Sequence, residues 1–452
     1  MTSENRAEEN SGGRATLTSR LGFLMLAAGC AVGLGNVWRF PYVTGANGGA
    51  AFVLVYLFFL AVLGFPLMMA ELAVGRGAQK GIAGALACLA PSRWTKFWGR
   101  VGLVLFAGNF ILMIYYTDVA GWLLKYTGDY LLTTPSGADP GAAFEAFCAN
   151  RPVCTGYLML AVGLATVVCL AGVVKGVERV TKYMMLSLLS LLFLLAVKAV
   201  SLPGAGEGLS FYLAPNWTKF LAHPYKAVFD AMGQAFFTLS LGIGAMTIFG
   251  SYTKRTHSLV SESAWIIVID TFVALLAGLI IFPACAAYHV PYTEGPRLIF
   301  VALPKVFQAM PGGRFWGFLF FLFLSFAALT TIIAVFECLI GGLVDEWKKS
   351  RVALTLLVGV GVAICSLPCV WIDGVLGWED FAVSQLWLPV GGLALCLFTT
   401  RASFGWGWKG FQREVSTGDG WKMPSFLGPW MTWGVPLLIS VLLVGGLILK
   451  FR

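Results

Sequence analysis

Two glycine-broken stretches inside apolar segments carry the first chemical signal. One reads Gly29-Cys30-Ala31-Val32-Gly33-Leu34-Gly35-Asn36, the other Thr238-Leu239-Ser240-Leu241-Gly242-Ile243-Gly244. Glycine in a helix interior costs about 1 kcal/mol relative to alanine. Such a stretch therefore marks either close helix packing through small residues or a helix that comes apart. An unwound stretch frees carbonyl oxygens for a hard cation and N–H groups for a carboxylate. Asp270 stands in an apolar stretch, where an acid is either functional or paired for structure. Thr330-Thr331 offers adjacent hydroxyls, which on their own bond back to their helix as readily as to an ion. Arg39 needs a partner in its apolar context. Glu71 and Glu337 read as isolated acids. No nucleophile–base pair or metal cluster stands out, which argues against an enzyme. Few polar residues line up into a continuous path, which argues against a channel.

The elements that hold these residues follow from composition. Of 452 residues, 58% are apolar and 12% charged. Soluble domains carry roughly twice that charge. Segments without an ionised side chain lie near residues 21–38, 51–70, 101–117, 155–174, 183–197, 231–253, 271–293, 315–336, 352–372, 382–400 and 426–449. The third extends through Asp118 to Leu124, and the seventh begins near Ser263. A spanning helix needs about 20 apolar residues, and no alternating barrel pattern occurs. The expectation is an all-α integral membrane protein of about eleven spans.

Basic residues concentrate before the first segment and in alternate loops: Arg76, Lys80, Arg93, Lys96 and Arg100; Lys175, Arg179 and Lys182; Lys254 and Arg255; Lys348, Lys349 and Arg351; Arg401, Lys409 and Arg413. The positive-inside rule places the N-terminus in the cytoplasm, and an odd span count places the C-terminus outside. This bias accounts for most of the +9 net charge, so no nucleic-acid partner is implied. The first 20 residues are polar and do not resemble a signal peptide. Eight of ten cysteines lie in or beside apolar segments as packing residues. Cys148 and Cys154 share an outward loop and are either a disulfide or two free thiols.

The two broken stretches open successive blocks of five segments. Five is odd, so the second block enters from the opposite side, the pattern of an inverted repeat with discontinuous helices meeting at the midplane. The expected organisation is a cytoplasmic tail over 1–16, one repeat over 17–201, its inverted partner over 202–402, and a loop with a last helix over 403–452.

At this point the sequence resembles the neurotransmitter:sodium symporter family, in particular its bacterial amino-acid transporters. The resemblance runs from about Arg14 to Asp380. It rests on GCAVGLGNVWRFP from Gly29 to Pro41, Asn47-Gly48-Gly49, Tyr115-Tyr116, Lys175 to Arg179, QAFFTLSLGIG from Gln234 to Gly244, and AALTT from Ala327 to Thr331. It implies a five-plus-five inverted repeat with the first and sixth helices unwound, two sodium sites and one substrate site. The first sodium would meet the Ala31 carbonyl, Asn36, Thr238, Asp270 and the substrate carboxylate. The second would meet the carbonyls of Gly29, Val32 and Ala327 and the hydroxyls of Thr330 and Thr331.

The substrate carboxylate would also meet the N–H groups of Leu34 and Gly35 and the Tyr116 hydroxyl. Its side chain would lie among Leu112, Phe237, Ser240, Ile243 and Val335. An acidic or basic side chain would be unpaired there at high cost. Monoamine-carrying relatives have an aspartate where this chain has Gly33, which favours a substrate bringing its own carboxylate. The expected substrates are neutral, hydrophobic L-amino acids, including aromatic ones because Ile243 and Val335 are small.

Two positions depart from the family pattern. Asp270 stands where asparagine is usual, with Ala274 one turn on; the acid would supply the fixed charge that chloride supplies in animal relatives. Leu186 replaces a proline common in relatives. The resemblance further implies an outer gate of Arg39 and Asp380 with Phe237 as lid, and an inner gate of Arg14 and Asp345 with Tyr252. The overall expectation is a chloride-independent sodium symporter in a bacterial inner membrane, its oligomeric state open. A substrate-sensing receptor on the same fold is the alternative, because binding residues alone do not prove transport.

Overall fold

A computed structural model of the chain describes residues 16–132, 139–291 and 298–451. Among these the ordered elements are helices, with one isolated bridge between His257 and Asp419. The first helix, α1 (Arg20–Ala31), starts at Ser19, whose hydroxyl accepts the Gly22 N–H at 3.0 Å. This is an ordinary N-cap, satisfying a donor that the first turn leaves free. The helix stops at Val32, where the backbone turns extended (φ −68°, ψ 103°). The Asn36 side chain accepts the Gly33 N–H at 3.0 Å and closes the turn. The chain continues through a wide turn over Gly35–Arg39 into α2 (Phe40–Ala46). The two halves meet at 56°.

Next come α3 (Phe65–Ala78), the second part of a span beginning at Ala50; α4 (Thr95–Leu132); and α5 (Arg179–Val200). The second interruption separates α6 (Pro224–Phe237) from α7 (Ala245–Ser251). Between them Ser240, Gly242 and Gly244 adopt positive φ of 51°, 103° and 75°. At Gly242 a Cβ would lie 2.0 Å from the Leu388 carbonyl oxygen, so torsion and space both require glycine. Glu71 of α3, fully buried, accepts the N–H groups of Gly242 and Met246 and so satisfies backbone that the missing helical turn leaves unpaired.

The remaining elements needed here are α8 (Leu259–Ala287), α9 (Leu303–Ala309), α10 (Gly313–Trp347), α11 (Arg351–Cys365) and α12 (Leu388–Thr400). Among the described residues nine helices are long and apolar enough to span a bilayer, and the bent α1–α2 pair makes ten. The eleventh segment expected from the sequence is the interrupted α6–α7 stretch, whose halves are separately too short to count. The 78% burial in the most apolar window of α10, against 28% for Leu427–Ile448, makes α10 the central pillar and the latter a lipid-facing helix. In lipid such packing draws on dispersion and close fit rather than on escape from water.

Candidate functional site

The two interruptions face each other across a shared set of oxygens. The Asn36 side-chain nitrogen donates to Thr238 Oγ1 at 3.0 Å, to Asp270 Oδ1 at 2.8 Å and to the Asp270 carbonyl at 3.2 Å. Thr238 Oγ1 in turn lies 3.1 Å from Asp270 Oδ2. All three residues are essentially inaccessible. Three acceptor oxygens from α6's end and α8 thus converge on one donor nitrogen beside Ala31. That donor set, one carboxylate with neutral oxygens, suits a hard monovalent cation. Four of the residues assigned to the first sodium are therefore neighbours: Asn36, Thr238 and Asp270 in direct contact, with Ala31 and Thr238 both in the wall of the adjoining cavity.

A second cluster joins α1 to the pillar. Thr331 Oγ1 lies 3.2 Å from each of the carbonyl oxygens of Gly29, Val32 and Ala327. A hydroxyl has one proton, so it can donate fully to only one of them. The carbonyls it does not serve keep spare acceptor capacity toward the same point, where a cation could bind. Thr330 Oγ1 donates to the Ala327 carbonyl at 3.0 Å, the back-bonding expected of such a residue. The five residues read as the second sodium site thus come together from two helices that sequence distance separates.

Between the clusters lies a small cavity. Its walls include Ala31, Gly33, Leu34, Gly35, Leu112, Tyr116, Phe237, Thr238 and Ser240, all among the residues assigned to the substrate. Tyr116 Oη accepts the Leu34 N–H at 3.2 Å, which aims both groups at one end of the cavity. At Gly33 a Cβ would fall 2.5 Å from Tyr116 Oη and 2.9 Å from Thr331 Oγ1, so a side chain there would close the space.

Ile243 and Val335 are not in the lining. Both are fully buried. The left-handed turns at Gly242 and Gly244 direct Ile243 onto Gly108 of α4, and Asn109 holds its carbonyl at 2.7 Å. Val335 lies one turn beyond Thr331, within the packing of α10. Leu388 and Thr331 take wall positions instead. Sequence reasoning missed Leu388, an ordinary residue in an apolar run. The available signal was Gly391-Gly392, since a Cβ on Gly391 would collide with the Gly242 carbonyl.

At one mouth of the site the Arg39 guanidinium lies over the Phe237 ring, 4.6 Å from its centroid. Asp380 sits close enough to feel the Arg39 charge. The ion pairs within 4 Å among the described residues do not include these two. On the other side Tyr252 Oη donates to Glu337 Oε1 at 2.6 Å. Glu337, isolated in the sequence, is paired in the fold: Arg351 Nη1 meets Oε1 at 3.0 Å, and Nη2 meets Oε2. Asp345 accepts the Gly81 N–H at 2.8 Å. Arg14, its expected partner, lies outside the described residues. Glu337 and Arg351 are the main residues of this region that sequence reading did not assign. Cys148 and Cys154 stand as free thiols, with Cys154 Sγ donating to the Phe147 carbonyl at 3.2 Å.

A helical membrane bundle with two interrupted helices, oxygen clusters at both breaks and a cavity between them defines an ion-coupled transporter. The chain belongs to the sodium:neurotransmitter symporter family, whose profile matches residues 14–136 and 152–450. It is a multi-pass, sodium-dependent transporter and not an enzyme. It is 35% identical over 394 residues to the sodium-dependent transporter YhdH of Bacillus subtilis, covering 84% of this chain and 86% of that one. It is 30% identical over 417 residues to the sodium-dependent serotonin transporter of Drosophila melanogaster, covering 80% and 65% respectively. Among solved structures, MhsT in complex with L-phenylalanine superposes with a TM-score of 0.84 at 34% identity, covering 96% of this chain and 100% of that one.

Proposed function

We propose that the chain couples two sodium ions to the uptake of a neutral, hydrophobic L-amino acid, independently of chloride. The observation that carries this reading is the lining of the central cavity: backbone, two hydroxyl-bearing residues of the clusters, Ser240, Tyr116 and apolar side chains, with no ionisable carboxylate or amine. A charged substrate side chain would meet no counter-charge there. The carboxylate end fits beside Leu34, Gly35 and Tyr116, where it completes the Asn36–Thr238–Asp270 cluster. Formally, two sodium charges are then balanced by that carboxylate and Asp270. The likeness to MhsT, solved with L-phenylalanine, supports the same substrate class.

In this reading the repeats 17–201 and 202–402 rock about the site. Phe237 and the Arg39–Asp380 pair close the outer side; Arg14, Asp345 and Tyr252 close the inner side. Each pair must form in some states and part in others to gate. The N-terminus is cytoplasmic, the C-terminus external and the membrane a bacterial inner membrane.

Competition binding with labelled leucine in sodium tests the substrate class. Leucine, phenylalanine and tryptophan should compete; glutamate or lysine binding tightly while these do not overturns it. Counterflow in reconstituted vesicles then separates transport from sensing, because a receptor binds without exchanging substrate across the bilayer.

A further inference from the structure

A second cavity lies between α5, α8, α9 and the first turns of α10. It shares no wall residue with the central one. Its sides are apolar, among them Leu195, Ala199, Ile280, Ala284, Phe307 and Phe320, and Lys198 is the single charged residue of the lining. At its edge the lining residues Lys198 and Trp316 are half-buried, and Leu194, one turn before Lys198, and Phe315, beside Trp316, are exposed. In a spanning bundle such side chains face acyl chains, so the groove opens to the bilayer rather than to water.

Lys198 stands in the last turn of α5 with its Nζ 5.5 Å from the centroid of the Trp316 ring. No carboxylate among the described residues pairs with it within 4 Å. A lysine and a tryptophan at a helix end mark the headgroup level, where the stem lies along apolar surface and the charge reaches the interface. The groove therefore presents an apolar trough running inward from a cation that no described carboxylate pairs.

We propose that this groove binds an anionic phospholipid of the bilayer, one acyl chain along the trough and the phosphate on Lys198. A zwitterionic lipid offers the same chain, so the lysine sets the headgroup preference. One lysine near an anionic headgroup corresponds to a preference of about fivefold. In the orientation proposed above, the site belongs to the outer leaflet.

The test uses the full chain in phosphatidylcholine nanodiscs containing a trace of phosphatidylglycerol with a photoreactive acyl chain. After irradiation, labelled peptides are mapped by mass spectrometry. Label should concentrate in peptides covering residues 195–202 and 303–320 relative to the lipid-facing helix at 435–451. Unlabelled phosphatidylglycerol should compete about fivefold better than phosphatidylcholine. Lys198→Gln should bring the two competitors level, and Lys198→Arg should keep them apart. Ala284→Phe, which fills the trough, should remove the label whatever the headgroup. Should that variant fail to fold, the rim substitutions at Lys198 decide alone. Uniform labelling of all lipid-facing helices, or a headgroup preference unchanged in Lys198→Gln, overturns the proposal.

Discussion

As proposed sodium sites, the two oxygen clusters would hold their ions by different means. Around Asn36 a carboxyl group, that of Asp270, is brought between the two interrupted helices. Around Thr331 the oxygens are neutral, three carbonyls and a hydroxyl, and they join α1 to the buried pillar α10. The first cluster works by charge and borders the cavity, so a substrate carboxylate can complete it. The second works by geometry, because neutral oxygens attract a cation only when several are held at the right separation. An ion at the second cluster would tie α1 to α10.

The largest effect should come from removing the charge in the first cluster. Asp270→Asn keeps the size and one carbonyl oxygen but loses the anion. Contacts to a charged partner contribute about 1.5–3 kcal/mol, so sodium affinity should fall about 10- to 100-fold. Sodium titration of labelled leucine binding reads this directly. In the same vesicles, wild-type uptake should persist when gluconate replaces chloride. Chloride-dependent wild-type uptake refutes the charge-replacement idea; an unshifted sodium curve in the variant removes Asp270 from the ion site.

Next in size is the geometric cluster. Thr331→Ala deletes one neutral ligand and should weaken sodium by about tenfold, with substrate binding weakened at subsaturating sodium because the two ligands are coupled. Thr331→Ser restores the hydroxyl and should recover most of the loss. If the alanine variant lowers substrate affinity equally in sodium and in potassium, the hydroxyl serves the cavity wall alone and the comparison between clusters fails.

Much of this was readable in the chain. The glycine pairs announce both interruptions because glycine is costly in a helix and nothing else tolerates Gly242's torsion and its contact with Leu388. Spans were legible from apolar length, although the sixth is split into halves too short to count separately. The proposed ligands come from motif order, apart from Asp270, which is placed by spacing; Thr331 and Gly29 meet across 302 positions, a distance that no local pattern bridges. What stayed hidden depends on tertiary direction. Glu337 looked isolated because its partners, Tyr252 and Arg351, arrive from other helices. Ile243 is placed in the wall by the resemblance, which carries no torsions; the left-handed glycines on either side turn it onto Gly108.

That last difference changes how substrate size is set, and yields the smallest predicted effect. Room for a large side chain was read from Ile243 and Val335, neither of which lines the cavity. Leu388 does, and it is held there by the contact between Gly391 and the Gly242 carbonyl. Shortening Leu388 to alanine should enlarge the cavity without touching either oxygen cluster. One to three methylenes in an apolar pocket discriminate by about 1–3 kcal/mol, and partial collapse of the wall takes up some of that. Leu388→Ala should therefore shift the ratio of tryptophan to leucine affinity by about three- to tenfold toward tryptophan, while the sodium dependence of binding stays at its wild-type value. Ile243→Ala, as the control, should cost stability through the hole it leaves beside Gly108 and leave that ratio nearly unchanged. If the control shifts selectivity and Leu388→Ala does not, the wall runs through Ile243 as the resemblance implied, and the turn at Gly242 and Gly244 does not aim Ile243 away from the substrate.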